Sequence, residues 1–301
     1  MSKLQPQTNR LKCGTKVLDL SNPAVMAVLN ITPDSFSDGG QLFTNQHIDK
    51  AKVLSTVETM IEDGADIIDL GGESTRPGAQ PVSTQQELDR VIPVLELLAA
   101  NFDSIFSVDT STPEVMQQAA RSGAHLINDV RALQRPNALE TAAQLDLPVC
   151  LMHMQNQPTN MQQNPQYKDV VTEVIEFLQQ RKLQCNSAGI PSQQILLDPG
   201  FGFGKTLEHN LALFAGLPEI ARQKQPIVVG VSRKSMIGQL INTEVNDRLI
   251  GSVTMGLLAA QKIYSVGGSM ILRVHDVKET VQAIQIWQAT KNYKGLITNE
   301  A

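Results

Sequence analysis

Eight short apolar runs recur along this chain, and each stops at a single polar or ionisable residue. Ala24 to Leu29 ends at Asn30, Ile67-Ile68 at Asp69, Ile105 to Val108 at Asp109, and Leu126-Ile127 at Asn128. Val149 to Met152 ends at His153, Ile195 to Leu197 at Asp198, Ile227 to Val231 at Ser232, and Met270 to Leu272 at Arg273. Near-continuous apolar runs of this length suit parallel strands covered on both faces. If all eight are parallel, their carboxyl ends emerge on one side and the polar residues converge on one pocket.

Helical periodicity fills the gaps between the runs. Ile48 to Asp63 ends at Gly64, Thr84 to Ala100 opens with Thr84 and Glu87 spaced as a capping box, and Thr112-Pro113 starts a helix that stops near Gly123. Further helices are predicted over 136–145, 167–188, 207–215, 246–265 and 277–289. About eight βα units with no Pro/Ser-rich linker predict an α/β fold, a single (β/α)8 TIM barrel over residues 1–301, with loose termini at 1–9 and 293–301. A doubly wound open sheet is the alternative, disfavoured because no G-x-G-x-x-G follows the first run. Arg10 to Pro23 alternates Leu11, Cys13, Val17 and Leu20 around Gly14, as a hairpin closing the barrel bottom would.

Composition narrows the function class. With 42% apolar and 18% charged residues the chain is of ordinary globular type, and 25 basic against 30 acidic residues give a formal net charge of -5. That balance argues against a nucleic-acid partner, so any anion site is local. No apolar stretch approaches bilayer length and Met1 to Pro6 lacks a secretory core, so no membrane partner and a cytoplasmic location are expected. Cys13, Cys150 and Cys185 are odd in number, with no CxxC, which suggests neither a disulfide framework nor a zinc site. Cys150, inside an apolar run, reads as a buried inert thiol rather than a reactive one.

The segments after the strands carry the chemistry. After Asn30, Ile31 to Gly40 is rich in turn formers and too long for a tight βα connection, a candidate lid. After Asp69, Leu70-Gly71-Gly72-Glu73-Ser74-Thr75-Arg76-Pro77-Gly78 offers glycines for close backbone approach and donors at Thr75 and Arg76, a candidate second flap. After Asp198 comes Pro199-Gly200-Phe201-Gly202-Phe203-Gly204-Lys205, either an apolar wall beside a flat ligand or a tight turn that packs both rings inward. Ser232-Arg233-Lys234 sets cations at the seventh strand end, where barrels often bind phosphate, although a solvated face would look the same. Arg273 and His275, two apart, share one side of a continuing strand and suit a diphosphate. The Gln-rich stretch from Met154 to Gln166 reads as a long surface loop.

Taken in order, Leu29 to Gly40, Asp69 to Gly78, Leu197 to Lys205, Ser232-Arg233-Lys234 and Arg273-Val274-His275-Asp276 closely resemble the dihydropteroate synthase family. The likeness runs from about Leu18 to the last helix. Departures are peripheral, at Leu42-Phe43-Thr44 and Ile263 to Gly268, and bear on loop length and dimer packing, not on the chemistry. The resemblance implies a barrel, usually homodimeric, that condenses 6-hydroxymethyl-7,8-dihydropterin diphosphate with 4-aminobenzoate. The products are 7,8-dihydropteroate and diphosphate, and sulfonamides compete for the aminobenzoate site. The methyltetrahydrofolate-binding module of corrinoid methyltransferases uses related strand-end residues but lacks the two long loops and the Arg-x-His pair.

Carried onto this sequence, the family's chemistry assigns the pterin edge to Asp109, Asn128 and Asp198, its carbonyl side to Lys234, and its faces to Met152 and Phe203. A carboxylate facing the amino and ring N–H groups makes two parallel bonds. Diphosphate falls to Asn30, Thr75, Arg273 and His275, with Asn30 as a single protein ligand to Mg2+, the expected cofactor. Aminobenzoate falls to Thr75, Pro77, Phe201, Ser232 and Lys234, and Asp69 with Arg76 would steady the loops. Arg273, His275, Lys234 and Asp109 are the expected catalytic group. Asp109 has a competing reading as a cap for the helix after Thr112. His153, between two methionines, reads as a core or supporting imidazole and not as a catalyst.

Overall fold

The structure, a computed structural model, describes residues 9–32, 42–44, 47–74, 82–158 and 160–293. Strands β1 (Arg10–Cys13) and β2 (Lys16–Asp19) pair antiparallel about a turn that holds Gly14 at φ +61°. Their buried residues Leu11, Cys13, Leu18 and Leu20 pack on Ala24, Met26, Ile67, Ile105, Leu126, Cys150, Leu196, Val228 and Ile271. The hairpin therefore plugs the barrel bottom, as its alternation predicted. Val17 is the exception: Leu18 takes the inward position and Val17 is 56% exposed.

The chain continues through β3 (Ala24–Asn30), the two-residue strands β4 (Phe43–Thr44) and β5 (His47–Ile48), α1 (Lys50–Glu62), β6 (Ile67–Gly71), α2 (Thr84–Asn101), β7 (Ile105–Asp109) and α3 (Pro113–Arg121). It then forms β8 (Leu126–Asp129), α4 (Ala138–Gln144), β9 (Val149–Met152), α5 (Val170–Ser187), β10 (Ile195–Asp198), α6 (Leu207–Ala215) and α7 (Leu217–Ala221). It ends with β11 (Ile227–Val229), α8 (Ser235–Ile241), α9 (Leu249–Tyr264), β12 (Met270–Val274) and α10 (Val277–Asn292). Strands β3 and β6 to β12 pair in parallel, and β12 returns to β3. Closure removes both sheet edges and excludes the open doubly wound sheet.

The two-residue period of each strand sorts its side chains. Val25, Ala27 and Leu29, with Ile68, Leu70, Phe106 and Val108, face the helices in the outer core. The alternate residues face the barrel axis, and on five strands the inward row is apolar at the bottom and polar at the top. Ile67 is followed by Asp69, Ile105 by Ser107 and Asp109, Leu126 by Asn128, Leu196 by Asp198, and Ile271 by Arg273. The strand-end pattern of the sequence is thus one polar tier above an apolar plug.

Helix termini differ from expectation in one informative place. The box at α2 is made by Ser83 and Gln86, one residue earlier than predicted. Glu87 is buried instead and accepts from the hydroxyls of Thr110 (2.5 Å) and Thr112 (2.6 Å). Helices α7 and α8, five and seven residues long, are unpredicted; five residues is too short for a helical period to register. No helix among the described residues is long and apolar enough to cross a membrane.

Candidate active site

Register and glycines bring the strand ends together. Asn30 on β3 lies opposite Gly71 on β6, Gly71 opposite Asp109 on β7, and Asp109 opposite Asn128 on β8. On the far side Met152 on β9 lies opposite Asp198 on β10. A Cβ added at Gly71 would sit 3.8 Å from the Asp109 Cβ and 3.9 Å from the Asn30 Oδ1. One added at Gly230 would sit 3.8 Å from the Lys234 Nζ and 3.9 Å from the Arg273 Cβ. Glycines at these two positions leave the mouth open between the polar groups that ring it.

Arg273 is the hub. Its Nε donates to Asp69 Oδ2 at 2.7 Å and its Nη2 to Asp109 Oδ2 at 3.1 Å, while Asn128 Nδ2 donates to Asp69 Oδ2 at 3.2 Å. Asp69 is fully buried, so the role assigned to it at the loops is not the one its carboxylate plays. It steadies Arg273 and Asn128 from inside the barrel, because the strand's parity turns it inward. One cation serves two carboxylates here. Burial raises Asp109 to about 8, with Asp69 and Asp129 adding to the rise and Arg273 opposing it. The capping alternative for Asp109 is not adopted, since α3 starts at Pro113 with Thr112 at its N-cap position and no side-chain cap.

Asp198 is buried and accepts from the Gly200 amide at 2.7 Å. Burial raises its pKa, opposed chiefly by Lys234. Lys234 donates to the Phe201 carbonyl and its ammonium lies 4.7 Å from the centre of the Phe203 ring. Burial lowers Lys234 to about 8, against the pull of Asp198. His275 and Ser232 join through Nδ1 and Oγ at 3.0 Å, and the His275 amide donates to the same hydroxyl at 3.2 Å. Arg233, beside them in sequence, turns outward to form two bonds with Asp276.

The two rings of the Gly-Phe run part company. Phe201 is fully buried against Phe214 at 6.0 Å between centroids, whereas Phe203 is half-buried at the mouth. The aminobenzoate contact assigned to the Phe201 ring is therefore corrected: alternate residues of the turn face opposite ways, and Phe203 is the ring on the pocket side. Thr75, Arg76 and Pro77 lie outside the described residues, as does 33–41 of the first loop.

His153 is buried, accepts from Lys205 Nζ at 3.0 Å and meets the Phe177 ring edge-on at 5.0 Å. Burial and Lys205 lower it to about 3, so it stays neutral, as a supporting imidazole would. Sequence reasoning gave no role to Lys205, a buried ammonium that also donates to the carbonyls of Gly200 (2.8 Å) and Phe203 (3.0 Å). Burial lowers it to about 7. Reasoning also missed Arg131, which grips Glu73 through two bonds of 2.9 and 3.0 Å at the base of the second loop. Neither has a signal in one sequence, because a buried lysine or a paired arginine reads like a solvated one.

A groove of about 460 Å³ lined by Leu88, Ile92, Glu114 and Arg121 lies between α2 and α3, away from the strand ends.

Comparison with known proteins agrees with this geometry. Residues 26–275 match the family described as pterin binding enzyme. The dihydropteroate synthase of Haemophilus influenzae is 53% identical over 283 residues, covering 94% of this chain and 99% of that one. A crystal structure of the Yersinia pestis dihydropteroate synthase with a sulfonamide drug complex superposes with a TM-score of 0.88 at 52% identity, covering 94% of this chain and all of that one. The Xanthomonas albilineans dihydropteroate synthase with 4-aminobenzoic acid superposes with a TM-score of 0.86 at 46% identity, covering 95% of this chain and 99% of that one.

Proposed function

The chain belongs to the pterin binding enzyme family, and on that premise we infer that it is a dihydropteroate synthase of folate biosynthesis. It joins 6-hydroxymethyl-7,8-dihydropterin diphosphate to 4-aminobenzoate, releasing diphosphate and 7,8-dihydropteroate. The observation that carries the mechanistic reading is the inward polar tier of Asp109, Asn128, Asp198, Lys234 and Arg273 above an apolar plug.

A dihydropterin offers an amino and ring N–H edge beside one carbonyl. Asp198, with Asn128 and Asp109, accepts from that edge, and Lys234 donates to the carbonyl side. Met152 and Phe203 flank the ring. The reaction displaces diphosphate from a methylene carbon on an electron-rich ring, so departure of the anion can run ahead of attack and leave a ring-stabilised cation. Arg273 and His275 bind the departing oxygens, with Ser232 holding the imidazole. Electrostatic stabilisation of that charge is the main catalytic task.

The neutral carbonyl oxygen of Asn30 faces the mouth beside Gly71, and no group of three His, Cys, Asp or Glu side chains among the described residues is set to hold a metal. That donor set fits Mg2+ held mostly by diphosphate and water oxygens. When bound, the ion would neutralise charge on the leaving group. The arylamine is already neutral near pH 7 and needs no strong base, so the site positions it: Phe203, Lys234 and Ser232 frame it, with Thr75 and Pro77 on the second loop. Sulfonamides would compete there.

The same reading makes the enzyme a cytoplasmic homodimer. Its three cysteines are free and buried, which suits a reducing compartment. Leu240, Ile241, Val245 and Ile250 are exposed around the α8 to α9 junction, an apolar face that a second copy would cover. Diphosphate release, measured with each substrate and Mg2+ omitted in turn, tests the function. Release that is independent of 4-aminobenzoate would overturn it.

A further inference from the structure

Five successive carbonyls of the Gly-Phe turn accept hydrogen bonds from four side chains around the site. Gly200 and Phe203 accept from Lys205, Phe201 from Lys234, Gly202 from Gln162, and Gly204 from the Tyr167 hydroxyl at 2.8 Å. The Gly202 amide donates to Asn210 at 2.8 Å. A segment with three glycines at positive φ is entropically costly to fix, and a backbone bond at every residue is what fixes it. Two of the donors come from the Gln-rich β9 to α5 segment, which the catalytic reading leaves unused.

That segment is itself built to be a brace. Gln155 and Gln166 bond reciprocally across its base at 2.8 and 3.1 Å, and Met161 is buried beneath it. A Cβ at Gly204 would come within 2.7 Å of the Gln155 carbonyl, so turn and brace are in backbone contact. Tyr167 is held in turn by edge contact with His209 at 4.9 Å. On the pocket side the same turn carries Phe203, with the Lys234 ammonium over its ring.

We propose that Lys205, Tyr167 and Gln162 are positioning residues for the arylamine: by holding the 200–204 carbonyls they fix where the Phe203 ring and the Lys234 ammonium meet that substrate. The inference rests on the synthase reading above. It goes beyond it by giving the β9 to α5 segment a part in arylamine recognition. Of the pterin contacts, Asp109 and Asn128 lie on the opposite wall and Asp198 is held at the Gly200 amide, so only those of Lys234 and Phe203 are shared with the arylamine, and the pterin should lose less.

The test uses Tyr167→Phe and Gln162→Leu in the full-length enzyme, each removing one bond to the turn and sparing the core; Lys205→Met, which strands several acceptors, is the severe case. Losing one such bond should raise the KM for 4-aminobenzoate about three- to tenfold, with the KM for pterin diphosphate raised by less than that and kcat unchanged within about twofold. Wild-type enzyme that releases no diphosphate would overturn the synthase reading and this inference with it. Wild-type turnover, with both Tyr167→Phe and Gln162→Leu leaving the aminobenzoate KM unchanged or raising both KM values equally, would overturn this inference alone.

Discussion

Arg273 Nε donates to Asp69 Oδ2 at 2.7 Å, joining β12 to β6 across the intervening β3. Asp69 is fully buried, so this guanidinium is the compensating charge for a carboxylate within the barrel. Its remaining donors face Asp109 and the mouth. One side chain thus supports the pocket floor and meets the anion.

Replacing Arg273 by Met should therefore fail twice. Losing a charge-assisted contact to diphosphate, worth about 1.5 to 3 kcal/mol, lowers the rate on the order of ten- to a hundredfold. Leaving Asp69 unpaired should also lower stability by about 3 kcal/mol. Steady-state kinetics and urea unfolding separate the two; a Met variant as stable as wild type would contradict the buried pairing.

Asp198→Asn keeps the shape of the strand end but replaces an anionic acceptor with a neutral one. Pterin diphosphate should bind about ten- to a hundredfold more weakly while the unfolding midpoint stays near that of the wild type. Calorimetry with wild-type affinity in the variant would remove Asp198 from the pterin site.

The pH dependence of pterin binding should be bell-shaped. Asp109, raised by burial to about 8, is the stronger acceptor for the pterin edge when ionised, so affinity climbs as pH rises through its pKa. Lys234, lowered by burial to about 8, donates as an ammonium only below its own pKa, so affinity falls again at higher pH. The maximum lies near 8, and Lys234→Arg should flatten the alkaline limb because a guanidinium stays charged. Titrations from about pH 6 to about pH 10 that show no maximum would contradict these assignments.

Gly200→Ala should damage the turn outright. Gly200 has φ +68°, and an added Cβ would stand 1.9 Å from the His153 carbonyl oxygen. Backbone strain and displacement together should destabilise the protein by about 3 kcal/mol or more. A chemical denaturation midpoint equal to that of the wild type would show that the two segments separate without cost.

The barrel and most of its polar tier were legible in the chain, because eight apolar runs with one polar terminus each leave few ways to bury the runs and still solvate the ends. The bottom hairpin was legible for the same reason, and only the inward parity at Val17 and Leu18 was misjudged. Motif spacing supplied the family, and with it Asp109, Asn128, Asp198, Lys234, Arg273 and His275. What spacing lacks is direction. Whether Phe201 or Phe203 faces the pocket, whether Asp69 braces a loop or an arginine, and whether Glu87 caps a helix or takes two hydroxyls all depend on which neighbour lies opposite after closure. Lys205 and the Arg131 to Glu73 pair depend on it too, since a charge becomes structural only when distant segments exclude water around it and supply its partners. Local pattern determined where the polar groups fall along the strands; tertiary contact decided what each of them holds.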